Sequence, residues 1–434
     1  DLPEPIILHV FSFLGSNDIV RLCYVSRKFR KLCMSSPNLS FKLTFDSEKC
    51  TAKCKKLQRF LKDFLSIHNA PEIHRLRLHW FCHSVRYDAK GSIFSLWVQK
   101  AVRNKVRELD IGVPVKPHKA FYLPAGVESL RVLKLKLQGG NLKSFASVFA
   151  SLETLSLNSV SIPCLEFGEW VCNSCKSLKV LNLEKVNGIG NLNISSSSLK
   201  VLTIVCCADE EDDYSVTKDC KIFIDCSSLE NLAISKCLFD GLHLNVNAPS
   251  LKGLEISDCE MYDNFDISIS AEQLQTLTLT MQLMSFCLRS GRICKIYSEN
   301  LLSLRNATLS LGDNMYDEFT NDGLVELIDS VRYAKSLQLS FQIIEALFIK
   351  DQLQDITFQH LEHLEVRVSQ LSLDDFTAIA AFLVESCSPK TLTLRCDQNA
   401  SELCETEIVD QLCAEVEKFG AECGDIKINC SVIK

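Results

Sequence analysis

No apolar run in this 434-residue sequence reaches the roughly 18 residues that a membrane-crossing helix needs, so no membrane partner is expected. Positive charge is not in excess either. The net charge is −7, and phosphate binding wants a basic surface, which argues against nucleic acid as the main partner. There is no G-x-S-x-G elbow, no Walker loop and no H-E-x-x-H, and no spacing of Ser, His and Asp supports a triad. No catalytic residue is therefore named, and no cofactor is implied. Metal-ligand pairing is missing too. His79, Cys82 and His83 lie close together and Cys172-Cys175 is a C-x-x-C, but neither has the second pair that a structural zinc site needs. The 22 cysteines have no fixed framework; many sit inside apolar runs, where a free thiol packs as a small hydrophobe. Reduced core thiols fit a cytoplasmic or nuclear protein. The Asn-x-Ser/Thr triplets at Asn38, Asn193, Asn306, Asn399 and Asn429 are read as chance, since Asn306 falls in a predicted strand. The chain begins at Asp1 without methionine and reads as a piece of a longer protein.

What is present begins with an unusually apolar N-terminus. From Ile6 to Leu14 only His9 and Ser12 are polar. Pro3 suits a first helical turn, because the N–H it lacks has no helical partner there. Gly15-Ser16-Asn17-Asp18 breaks the helix and offers caps for the next. Ser26 is a candidate N-cap for a helix over residues 27–33, with Phe29 and Leu32 inward, and Pro37 stops the run. A three-helix piece this small cannot bury so much apolar surface by itself. A partner or the rest of the chain must cover the remainder.

Past a basic amphipathic segment at residues 50–64 one pattern recurs: an apolar residue, two others, Leu, one other, Leu or Ile. Examples are Leu130-Leu133-Leu135, Leu152-Leu155-Leu157, Leu178-Leu181-Leu183 and Leu251-Leu254-Ile256. Most intervals lie between about 21 and 30 residues, the leucine-rich-repeat range. Alternating leucines place one side of a short strand in a core. One such unit cannot close its core alone, so the units stack into a solenoid with a curved parallel sheet on its concave side. The fold class is therefore α/β. Helical patterns at 93–102, 322–333, 374–386 and 405–419 are expected on the convex side. Connections between Leu130 and Leu279 are expected to be irregular or 3₁₀. Cys207, Cys237 and Cys259 fall where the repeat carries a small polar residue facing backbone groups of the turn. Cys172-Cys175 is expected to close a short helix.

The N-terminal order LP-x-x-I, FSFL, ND-I, VSRKFRKL and then a proline resembles an F-box, with Phe29 where that family usually has tryptophan and Pro5 as a second proline in the first turn. The repeat half, with phrases such as SLRVLKL and CKSLKVLNL, resembles the leucine-rich repeats of plant-type F-box proteins. The resemblance implies a three-helix F-box at 1–45, a helical linker at 46–70 and a solenoid with a C-terminal cap at 71–434. It implies docking on a Skp-type adaptor, and through it a cullin, in a ubiquitin ligase. By position the matching apolar residues are Leu2, Pro3, Ile6, Ile7, Val10, Phe11, Leu14, Leu22, Val25, Phe29 and Leu32; the family divides them between its own core and the adaptor interface. The chain would be the non-catalytic receptor that presents a target protein for ubiquitination.

Between the core leucines the opposite strand face is polar, charged at its ends and neutral in the middle. Arg75, Arg77, Lys134, Lys136, Asn158, Asn182, Arg367 and Arg395 are its candidate substrate contacts. The acidic run at 209–213 sits in an insert at 205–222 and is read as a solvated loop. Two alternatives stay open: a repeat scaffold or inhibitor without ubiquitin transfer, whose N-terminal helices cap the repeats, and a small-molecule coreceptor built on that insert.

Overall fold

A computed structural model describes residues 2–45, 59–82, 93–113, 120–207, 219–261, 265–283, 294–298, 301–311, 321–368, 373–397, 405–418 and 426–433, apart from isolated positions within these spans. The chain forms two compact units, Asp1–Leu199 and Lys200–Lys434. The first runs α1 (Glu4–Phe13), α2 (Arg27–Met34), β1 (Asn38–Phe45), β2 (Arg75–Cys82), α3 (Ile93–Arg103), β3 (Glu108–Gly112), β4 (Ala120–Tyr122), β5 (Val132–Lys143), β6 (Thr154–Ser161), α4 (Cys164–Ser174), β7 (Val180–Asn187) and β8 (Asn191–Ser195). Strands β1, β2, β3, β5, β6 and β7 pair in that order, all parallel. Their core residues stand side by side: Leu39, Leu76, Leu109, Leu133, Leu155 and Leu181 share one register row, and all are buried.

The second unit contains β9 (Val201–Val205), β10 (Asp219–Asp225), β11 (Asn231–Ser235), β12 (Leu238–Phe239), β13 (Gly241–Asn247), β14 (Gly253–Met261), β15 (Phe265–Ser270), β16 (Thr276–Leu283), β17 (Cys294–Ser298) and β18 (Asn306–Leu311). It continues with α5 (Asn321–Ser330), β19 (Ser336–Ser340), α6 (Phe341–Ile349), β20 (His363–Val368), α7 (Leu373–Glu385), β21 (Thr391–Asp397), α8 (Glu405–Lys418) and β22 (Lys427–Ile433). Its ladder runs β9, β11, β14, β16, β18, β19, β20, β21, β22, again parallel throughout. The row Leu202, Leu232, Leu254, Leu277, Ala307, Leu337, Leu364, Leu392 and Ile428 repeats the arrangement of the first unit.

Successive rungs are held by a shared acceptor. The residue just before most ladder strands offers a carbonyl that takes two N–H groups from the next rung. Arg107 O accepts from Arg131 N at 2.8 Å and Val132 N at 3.0 Å; Arg305 O accepts from Lys335 N and Ser336 N at 2.9 Å each. The core segments of several strands end on a common device as well. Ser159, Lys185, Cys206, Lys236 and Asp258 all have φ between 51° and 54°, each two residues past the last core residue of its strand. This left-handed step costs a non-glycine residue about 1–2 kcal/mol, so packing must hold it. It turns the next side chain inward, and Val160, Val186, Cys207, Cys237 and Cys259 are all buried.

The repeat spacing and the four outer helices are as the sequence indicated, with ends shifted by a few residues. The connections are only partly so. Between Leu130 and Leu279 the described part of the connection at 145–153 is irregular as expected, but α4 is a helix, and β10, β13 and β15, continued by β17, form their own parallel sheet. The reason is visible in the residues. Arms such as Gly241–Asn247 alternate Leu242, Leu244 and Val246 inward with His243, Asn245 and Asn247 between them, which is strand periodicity. A further helix, α6, buries Phe341, Ile343, Ile344, Ala346 and Leu347 and was not expected. Strand β1 was not expected either, although Leu39 and Phe41 alternate with polar residues. The linker segment at 50–64 lies mostly outside the described residues; residues 62–64, 66 and 67 are helical.

Since the leucine rows carry the fold, Leu254→Ala should cost about 2–5 kcal/mol. Thr278→Ala, on the opposite face, should stay within about 0.5 kcal/mol. Urea titrations of the two variants check this: equal midpoints would contradict it.

Candidate functional site

Helix α1 has two apolar stripes. Ile7 and Phe11, four residues apart, face inward and are buried with Leu32 and Cys33 of α2. Leu8, Leu14, Leu22 and Phe29 pack partly against that cluster, and the Phe11 and Phe29 rings stand 6.0 Å apart. Ser26 caps α2 as expected, its hydroxyl accepting from Phe29 N at 3.1 Å. On the other side Ile6, Val10 and Phe13 follow one another at i, i+4 and i+7. They are 47%, 47% and 77% exposed, and Leu2, Tyr24 and Val25 extend the open surface. Pro3 is exposed as the N-cap of α1. The eleven candidate docking residues therefore divide. Ile7, Phe11 and Leu32 build the small core and are too buried to touch a partner; Leu14, Leu22 and Phe29 are half-buried at its margin; Leu2, Pro3, Ile6, Val10 and Val25 are open. Phe13 and Tyr24 were missed by position-matching, although the i+7 spacing of Phe13 from Ile6 points to it.

This domain is fastened to the repeats. Ser36 O accepts from the buried His68 ring at Nε2, 3.0 Å away, and Met34 O accepts from Asn69 N at 3.0 Å. Phe41, Phe64 and Trp97 form an aromatic cluster with centroid separations of 5.7, 4.9 and 6.2 Å, and Phe64 lies against His68. Asn104 Nδ2 donates to Ala70 O, and Lys100 Nζ to His68 O, each at 2.6 Å. Burial, joined by the charge of Lys100, lowers the His68 pKa, although the bond to Ser36 works the other way. Nδ1 is buried with no partner among the described residues, so a proton there would be an unpaired charge in the interior.

The polar strand faces are less free than the sequence implied. Arg75 is ion-paired with Glu108, opposite it on the next strand, and Arg77 Nε donates to Asp110 at 2.8 Å. His79 Nε2 also reaches Asp110, at 2.7 Å. Burial tends to raise the Asp110 pKa, but the bonds from His79 and Arg77 outweigh it and hold the group low. Lys134 and Lys136 are exposed on β5, and Asn158 and Asn182 are half-buried on β6 and β7. In the second unit Arg367 and Arg395 share Glu365, at 3.6 and 3.1 Å. The eight candidate substrate residues thus fall in both units, and four of them already serve internal ion pairs. Spacing could not reveal the pairs of Arg75, Arg77 and Arg395, because each depends on register between strands some 30 residues apart.

The cysteines sit where the repeat reading placed them. Cys237 Sγ faces Ser235 O at 3.3 Å and Ile204 O at 3.8 Å; Cys259 Sγ faces Ser257 O at 3.5 Å and Ile234 O at 3.7 Å. Hydrogen bonding to the Cys207 and Cys259 thiols and burial push the Cys237 pKa up, which disfavours its thiolate. Cys175 follows α4 and is raised to about 12, by burial and then by Cys172. Among the described residues no three His, Cys, Asp or Glu groups are placed to hold a metal ion, and no helix is long and apolar enough to cross a membrane. His83, the acidic run at 209–213 and most of the 205–222 insert lie outside the described residues.

Comparison with known families agrees with this architecture. Residues 1–46 match the F-box-like family, and residues 94–220 match the family described as FBD-associated F-box protein At5g56370, LRR repeats. Among curated relatives, the Arabidopsis thaliana F-box/LRR-repeat protein At1g55660 is 28% identical over 61% of this chain and 65% of its own length. The putative F-box/FBD/LRR-repeat protein At4g00315 from the same plant is 27% identical over 59% of this chain and 52% of its own. FBD-associated F-box protein At5g38590, also from Arabidopsis thaliana, is 25% identical over 86% and 78%. The chain thus spans about half to two thirds of the first two relatives. An N-terminal helical domain with an open apolar stripe, followed by stacked leucine strands, defines the class of F-box proteins with repeat bodies. The N-terminus is F-box-like, the body carries leucine-rich repeats, and the chain is similar to plant-type F-box/leucine-rich-repeat proteins.

The buried neutral His68 makes stability pH-dependent. Its folded pKa lies below the unfolded value of 6.5, so the unfolded chain binds the extra proton, and stability falls as pH drops below 6.5. The slope contributed is at most about 1.4 kcal/mol per pH unit. His68→Gln should flatten thermal midpoints recorded between neutral and mildly acidic pH. Parallel curves for the two proteins would refute this role.

Proposed function

We propose that this chain is the substrate-recognition subunit of a Skp–cullin–F-box ubiquitin ligase. The observation that carries the reading is the second stripe of α1. Ile6, Val10 and Phe13 stay open although the domain's own core is already closed by Ile7, Phe11, Leu32 and Cys33. A contiguous exposed apolar surface on a small helical domain is a docking surface by default. Leu2, Pro3, Ile6, Val10 and Val25 are its contacts, and Leu14, Leu22 and Phe29 set its margin. The occupant is a Skp-type adaptor, which links the chain to a cullin. The F-box spans 1–45, a helical linker 46–70, and the repeats with their cap 71–434.

The repeats hold the target protein. Their polar strand faces offer Lys134, Lys136, Asn158 and Asn182 as direct contacts, with Arg75, Arg77, Arg367 and Arg395 available where a partner carboxylate displaces the internal one. The chain itself makes and breaks no bond. It raises the local concentration of a target lysine near a ubiquitin carrier, so its contribution is proximity. The site of action is the cytoplasm, the nucleus or both.

Co-purification with a Skp-type adaptor tests the docking. Ile6→Asp/Val10→Asp places charge on exposed positions and should weaken retention at least about tenfold while leaving the thermal midpoint nearly unchanged. Equal retention of variant and wild type would remove the docking claim and favour a repeat scaffold that acts without ubiquitin transfer.

A further inference from the structure

In the second unit a polar cleft of about 360 Å³ opens between the segment leading into β19 and the segment leading into β20. One wall carries Asp329, Arg332 and Tyr333; the other carries Thr357, Gln359 and His360. Arg332 is fixed in place. Its Nη1 donates to Asp329 at 3.1 Å, its Nη2 donates to the Tyr333 hydroxyl at 3.1 Å, and its guanidinium carbon lies 4.9 Å from the Tyr333 ring centroid. A stacked and bonded guanidinium loses little freedom when it meets a further anion.

The rim beside this cleft carries charge that no described carboxylate pairs with. Elsewhere along the starts of the strands Glu153 and Glu230 are each bracketed by two cations. Glu230 lies between Lys200 at 2.8 Å and Lys252 at 3.1 Å, and both cations hold its pKa down. Arg305 and Lys335 break that rule. They are adjacent on neighbouring rungs, both exposed, and neither has a carboxylate partner among the described residues. The next rim carboxylate, Glu362, is taken by Lys390 at 3.4 Å. Like charges on adjacent strands destabilise a sheet. Here the imbalance stands on a chain whose net charge is −7.

We propose that this cleft and rim receive an acidic stretch of a partner protein. Carboxylate or phosphate groups of the segment lie across Arg305 and Lys335, and one side chain enters the cleft beside Arg332. The inference rests on the repeats being a partner-holding scaffold, and it deepens that reading by naming the chemistry of the bound segment. Nucleic acid fits less well. A duplex carries one charge per about 1.7 Å and needs an unbroken track of cations, whereas the rim cations of this unit are interrupted by the carboxylates of Glu230 and Glu362. Complementary charge also speeds encounter and selects the partner's register.

The test uses the full chain and two fluorescein-labelled peptides of equal charge, one of glutamates and one bearing phosphoserines, read by fluorescence anisotropy at low and near-physiological salt. At least one peptide should bind, and Arg305→Glu/Lys335→Glu should weaken that binding about tenfold or more. Arg305→Gln/Lys335→Gln should weaken it by a smaller factor, and Lys200→Ala by less than about twofold. The ratio of the two affinities assigns carboxylate or phosphate as the favoured group. Each variant is first shown to keep the wild-type thermal midpoint and to retain the Skp-type adaptor as wild type does. That separates a failure here from a failure of the docking claim. Absence of binding by both peptides, equal binding by the double variant, or tighter binding of a single-stranded DNA of matching charge would overturn the proposal.

Discussion

Backbone pairing of β1 with β2 turns the N-terminal helices from an appendage into the first rung of the sheet of their unit. Strand β1 begins four residues after α2 ends, so little chain is left between the helices and the ladder. Phe41 of β1 is then sealed by Phe64 and Trp97, and Ser36 is pinned by His68. Each of these contacts crosses from the segment around β1 to chain that follows it. A flexible join would let the open stripe of α1 wander relative to the repeats. Here that stripe and the first strand faces belong to one packed body. If the chain acts as proposed, by placing one protein near another, such stiffness is the requirement that proximity imposes.

The division of α1 follows from the same economy. A short helix that presents residues 7 and 11 to its own core must present residues 6, 10 and 13 elsewhere, because 3.6 residues make a turn. Nothing in the small domain is large enough to cover both sides. The apolar composition that makes residues 6–14 conspicuous is thus the sum of two half-faces, one satisfied internally and one left open.

Much of this was legible in the residues. The leucine rows follow from spacing alone: Leu133 and Leu155 stand side by side, as the repeat period requires. Helix α3 begins at residue 93, the first residue of the expected pattern. Strands were lost where another reading claimed the segment first. Residues 38–45 were absorbed into the helical domain that precedes them. The arm at 219–225 lies beside an acidic run that draws attention to loops. Helix α6, with isoleucines, phenylalanines and a leucine on most of its faces, carries little amphipathic signal. The site was legible to a different depth. Which α1 residues open outward can be read from a helical wheel. That Arg75 and Arg77 are already engaged needs the knowledge that residue 75 lies opposite residue 108.

The left-handed step that follows the core residues of several strands has a consequence for how such a chain tolerates change. Because Ser159, Lys185, Cys206, Lys236 and Asp258 all take the left-handed step at the same position, whatever follows the core segment starts from the same local geometry. A helix can follow, as after β6, or a strand, as after β7, without disturbing the ladder. Lengthening an arm then costs little more than loop closure, about 0.6 kcal/mol for each doubling. The strand ladder can remain constant while the outer arms vary in length and kind, so recognition surfaces can diversify without the scaffold being rebuilt.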